Sequence, residues 1–180
     1  PIWRQQPGKI LDLYSRWAAQ QPNRKAVVAF DTMWQSTARM GRPIAEGLTV
    51  GGIEVKLMPL SVSHRSDVAA ELLEAGALVL GSPTMNNQMF PTVADLTTYL
   101  RGLRPKNLIG AAFGSYGWNG QAVANLEKAL TEMGVELIEE GLRVHYVPDE
   151  QALADCRSLG ADVAARLSTI SDSRARLGSR

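Results

Sequence analysis

The sequence has little cysteine, little histidine and almost no net charge. Its 180 residues include one cysteine, Cys156, and two histidines, His64 and His145. A single cysteine permits no intrachain disulfide and no thiolate metal cluster, so a reducing compartment is the expected setting. Neither histidine reads as a metal ligand. His145 lies in an apolar strand pattern and is expected in the core; His64 precedes a helix in a polar stretch and is expected at the surface. The formal charge of +1 gives no electrostatic footprint for nucleic acid or an anionic membrane. No run approaches the ~20 apolar residues of a membrane span. The N-terminal PIWRQQPGKI lacks the order of a signal peptide, and a cytoplasmic protein is expected.

Two nucleotide-binding signatures are also missing. No glycine-rich loop ends in GKS or GKT, which disfavours a P-loop nucleotidase, and GxGxxG is absent after the first strand pattern.

What the sequence does contain is alternation. Apolar residues make up 45% of the chain, and a chain of this length can bury roughly 70% of its unfolded surface in one domain. Residues 25–30, 53–57, 77–81, 108–113 and 142–147 are short, β-rich apolar runs, the last preceded by a short piece, VELI. Between them lie helical patterns at 36–50, 66–75, 92–103 and 121–133, and a last one from Pro148 that fades by about 167. Near-continuous apolar strands imply burial on both faces, hence a parallel sheet covered by helices. The pattern predicts an α/β domain over 25–170, a doubly wound, five-stranded parallel sheet in the flavodoxin-like order 2-1-3-4-5. Residues 1–24 form a connector with an extra helix at 7–20, whose Ile10, Leu13, Tyr14 and Trp17 share one face. Residues 171–180 read as a polar, frayed tail, and Pro43 is expected to kink or interrupt its helix.

In such a fold the ligand sits at the carboxyl ends of the strands. The turn after the first strand, FDTMWQST, offers three hydroxyls and a helix N-terminus, which suits a phosphate. The turns GSPTMNN and FGSYGWNG converge on the same edge and supply polar groups, with glycines that allow close approach. Trp34 and Trp118 flank the region and could cover a flat ring. Taken singly each turn is ordinary: Ser36 reads as a helix N-cap and 82–87 as a loop with Asx bonding. Taken together they describe a site for a phosphorylated aromatic molecule, held without a positive side chain. A receiver-type signalling domain would share the fold and could use Asp31 as a phosphoacceptor. It would also want clustered acids at this edge and a lysine after the last strand, and neither is evident.

FDTMWQST, GSPTMNN and FGSYGWNG resemble the three flavin-binding loops of the flavodoxin-like domain of flavodiiron proteins, or A-type flavoproteins, and the resemblance covers nearly the whole chain. It implies that Thr32, Met33, Trp34, Gln35, Ser36 and Thr37 wrap the phosphate of FMN. Pro83, Thr84, Met85, Asn86 and Asn87 would contact the ribityl chain and isoalloxazine, while Ser115, Tyr116, Gly117, Trp118 and Gly120 would close over the ring. Family members often carry histidine where this chain has Gln35, and ordinary flavodoxins are markedly more acidic. The resemblance further implies an electron relay. Rubredoxin or a reductase would reduce the flavin, which would pass electrons to a di-iron oxygen or nitric oxide reductase centre. That centre belongs to a metallo-β-lactamase-like domain, contributed by the opposite subunit of a head-to-tail dimer. The opening PIWR resembles the connector beyond that domain, so the chain is expected to be the flavin half alone, without turnover of oxygen or nitric oxide. The alternative is a cofactor-free signalling or docking module that kept the fold.

Overall fold

A computed structural model describes residues 5–178, with side chains described through residue 173. In chain order the elements are α1 (Pro7–Ala19), β1 (Lys25–Phe30), α2 (Ser36–Val50), β2 (Glu54–Pro59), α3 (Arg65–Leu72) and β3 (Ala77–Gly81). They continue with β4 (Thr84–Met85), β5 (Gln88–Met89), α4 (Pro91–Leu103), β6 (Ile109–Tyr116), α5 (Gln121–Glu132), β7 (Glu136–Leu137), β8 (Leu142–His145) and α6 (Glu150–Gly178).

The main sheet runs β2-β1-β3-β6, and β7 and β8 both lie parallel to β6 on its outer side. All its pairings are parallel. This is the order 2-1-3-4-5, with the fifth strand in two pieces. Every residue of β1 and β3 is buried, as expected of central strands covered on both faces. The strand period of two divides their side chains between two cores. Ala26, Val28 and Phe30 join Met40, Ile44 and Leu48 of α2 and Val163 and Leu167 of α6. Val27 and Ala29 face Val68 of α3, Leu96 of α4 and Leu126 of α5.

Several expectations need correction. The helix α2 is continuous through Pro43, which is buried. Proline removes one helical hydrogen bond, but Met40 before it and Ile44 and Leu48 after it pack into the core, and the helix is not interrupted. The last helix does not fade near 167: its buried stripe ends at Leu167 and Ile170, yet it continues to Gly178. Arg24 holds this extension through a 2.8 Å ion pair to Asp172. His145 is exposed rather than in the core, because strand alternation turns Val144 inward at the end of β8. His64 is at the surface as expected, where its ring accepts the Ser66 N–H and caps α3.

The extra helix α1 is present, but none of its residues is buried. It rests on the domain by a 3.1 Å bond from Trp17 Nε1 to Glu74 Oε1. The opening PIWR, read as the connector's start, lies outside the described residues, as do 179 and 180 of the tail.

Candidate functional site

Three crossovers leave the carboxyl edge of the sheet side by side, and each brings a turn singled out in the sequence. The first begins at Asp31, which is buried. Its Oδ1 accepts the Thr32 N–H at 2.7 Å, and its Oδ2 accepts the hydroxyl of Thr92 in the first turn of α4. The turn is thereby tied to α4 through a residue 61 positions further along the chain. Gln35 takes a left-handed conformation (φ 68°) at the N-cap of α2 and supplies no side-chain cap, and no acid occupies the first turn. The N–H groups that open α2 therefore remain uncapped. In the turn that precedes them, the Thr32 hydroxyl is buried and has no hydrogen-bond partner.

The second turn, expected as a loop with Asx bonding, folds into a hairpin. Asn86 (φ 50°) and Asn87 (φ 60°) form its tip between β4 and β5. Two left-handed residues in a row match a type I′ turn, for which asparagine is a favoured residue. The Ser82 hydroxyl accepts the Phe90 N–H at 2.8 Å, closing the loop from inside. Thr84 Oγ1 accepts the Ala122 N–H at 3.2 Å, and Asn119 Nδ2 donates to Asn87 Oδ1 at 2.8 Å. These bonds attach the second turn to the third.

The third turn follows β6, whose last residues Ser115 and Tyr116 reach the edge. A buried contact between Ser115 Oγ and Thr37 Oγ1, at 3.1 Å, joins it to α2. Gly120 is the N-cap of α5.

A cavity of about 310 Å³ opens among these turns. Of the residues expected from sequence, Met33, Trp34, Ser36, Pro83, Thr84, Ser115, Tyr116 and Gly117 line it. Thr37 is buried and Thr32 half-buried with its hydroxyl inside the protein, both outside the lining, as are Gln35, Met85, Asn86, Asn87, Trp118 and Gly120. Trp118 is 95% exposed and Trp34, at the mouth, 85%. No lining residue is charged. Tyr146 and Val147, which follow β8, complete the wall and were missed. The rule that pointed to the other turns, the carboxyl edge of the sheet, applied equally to the last strand.

The family model described as flavodoxin matches residues 28–160. The chain belongs to the flavodoxin family. A nitric oxide reductase of Moorella thermoacetica is 50% identical over 92% of this domain and 42% of its own length. The rubredoxin oxygen:oxidoreductase structure from Desulfovibrio gigas has a TM-score of 0.86 at 38% identity, covering 87% of this chain and 39% of that one. The flavodiiron protein from Giardia intestinalis has a TM-score of 0.88 at 29% identity, covering 92% and 42%. The chain thus corresponds to the flavodoxin-like part of flavodiiron proteins and spans about two fifths of these relatives. Fold and relatives imply a flavin cofactor. Among the described residues no group of three or more His, Cys, Asp or Glu could hold a metal ion, and no helix is long and apolar enough to cross a membrane.

Proposed function

We propose that this flavodoxin-like domain binds FMN in the cavity at the sheet edge and serves as an electron relay in a flavodiiron-type system. One observation carries the reading. A buried hydroxyl without a partner, Thr32 Oγ1, lies in the turn that leads into an uncapped helix N-terminus, and the adjoining cavity has no charged lining. Buried polar groups are nearly always paired. A phosphate at this position would accept from Thr32 and from the free N–H groups of Ser36, Thr37 and Ala38, where the helix dipole favours negative charge.

Bound FMN would supply the redox chemistry. The protein's part is to hold and surround it. The Thr37–Ser115 contact fixes how far the first and third turns stand apart. Pro83, Thr84, Tyr116 and Gly117 offer a mostly apolar wall for a flat ring, and Ser36 marks the phosphate end. The exposed indole of Trp34 at the mouth suits a partner that approaches the open side. By the family's pattern, that partner is a di-iron metallo-β-lactamase-like domain across a head-to-tail dimer, and the electron donor is rubredoxin or a reductase.

The test is a titration of the purified, flavin-free chain with FMN, followed by visible absorption after removal of free ligand. The expected outcome is one flavin retained per chain, with a perturbed spectrum. No retention would support the cofactor-free docking module instead.

A further inference from the structure

We propose that Tyr146 is the preformed aromatic wall of the flavin site, the residue that selects a flat ring. This deepens the flavin reading and rests on it. Tyr146 lines the cavity, yet its backbone is left-handed, with φ 58°. A bulky residue rarely adopts that conformation, and turns that need it use glycine or asparagine. Burial does not explain the choice, because Tyr146 is 59% exposed. An exposed, strained aromatic residue at a cavity points to a role toward what the cavity holds.

The surroundings fix the ring from behind. The Tyr146 N–H donates to the Tyr116 carbonyl at 2.7 Å, extending the β6–β8 ladder by one bond. The His145 ring lies against it, with centroids 4.0 Å apart and planes at 38°. His145 Nε2 is in turn 3.0 Å from the Gly117 carbonyl, which can only accept, so that nitrogen carries the proton. Gly117 leaves room for the phenol: a Cβ there would come within 3.2 Å of Tyr146 Cε1. Tyr146 is therefore anchored through Tyr116, His145 and Gly117. Trp118 is 95% exposed and lies outside the cavity lining. A fixed ring pays little ordering entropy when a flat ligand stacks on it.

The decisive variant is Tyr146→Gly, because glycine accepts the left-handed backbone and removes only the ring. Its flavin-free thermal stability should equal or exceed that of the parent. FMN and riboflavin should both bind about tenfold more weakly, since the loss concerns the ring and not the phosphate. Emission of the bound flavin should rise as a quenching neighbour is lost. Tyr146→Phe should keep affinity and quenching. Unchanged affinity and emission in Tyr146→Gly would overturn the proposal while leaving the flavin reading standing. A parent chain that retains no flavin would overturn both.

Discussion

Thr37 Oγ1 and Ser115 Oγ meet at 3.1 Å in the protein interior, 78 residues apart in sequence. The pair joins the helix that follows the first turn to the strand that opens the third. Removing one hydroxyl leaves the other buried without its partner, which costs about 1–3 kcal/mol. Thr37→Val should therefore destabilise the flavin-free protein by that amount in urea unfolding. The double variant Thr37→Val, Ser115→Ala should lose less than the sum of the singles. Strict additivity would mean that the two hydroxyls do not depend on each other.

Thr32 behaves oppositely if its free hydroxyl waits for a ligand. Without flavin, Thr32→Val removes a buried, unpaired group and should leave stability unchanged or raised. With FMN it should cost roughly 1.5–3 kcal/mol of binding, about ten- to a hundredfold. Isothermal titration and thermal melts on one preparation read both effects. A variant that loses stability but keeps FMN affinity would assign Thr32 to packing alone.

Cys156 gives a pH signature. Burial on the core-facing side of α6 pushes its thiol up from 9.0 to about 12, with the neighbouring Asp155 adding to the effect. In the pH window between those values the unfolded chain loses the thiol proton and the native chain keeps it. The stability from this group is fully present below pH 9 and is lost as pH rises, by at most ~1.4 kcal/mol per unit. Cys156→Ala should flatten the fall of unfolding free energy above pH 9 relative to the parent. Parallel curves for the two proteins would refute this origin.

The α2–α6 crossing depends on a missing side chain. A Cβ on Gly160 would lie 2.2 Å from the Ile44 carbonyl oxygen, a backbone atom. Alanine has the better helix propensity by about 1 kcal/mol, but overpacking of this kind costs typically 1–3 kcal/mol. Gly160→Ala should lower Tm by about 2–4 °C for each net kcal/mol lost. Gly102→Ala in α4, where nothing lies within 4 Å, should not. A higher Tm for Gly160→Ala would show that the helices can move apart freely.

Much of this architecture was legible from local pattern. The runs KAVVAF and ALVLG are buried along their whole length, and such runs announce central parallel strands without help from distant residues. The hairpin at 84–89 carried its own signal, two asparagines able to take positive φ, but each strand is only two residues long. What escaped detection depends on tertiary context. The stretch LRVHYV reads as one apolar strand, yet its path ends at His145 because Tyr146 turns left-handed against Gly117. Pro43 reads as a helix breaker, and only its burial shows why the helix survives. The site followed the same division. Eight expected residues line the cavity, while Tyr146 and Asp31 owe their places to contacts with Tyr116 and Thr92.

The proposed phosphate site consists of the Thr32 hydroxyl and the uncapped N-terminus of α2, beside a cavity with no charged lining. Parallel titration of the flavin-free protein with FMN and with riboflavin isolates that term, because the two ligands share their ring and ribityl chain. Several charge-assisted bonds at roughly 1.5–3 kcal/mol each predict FMN at least about a hundredfold tighter. Equal affinity for the two flavins would contradict the account.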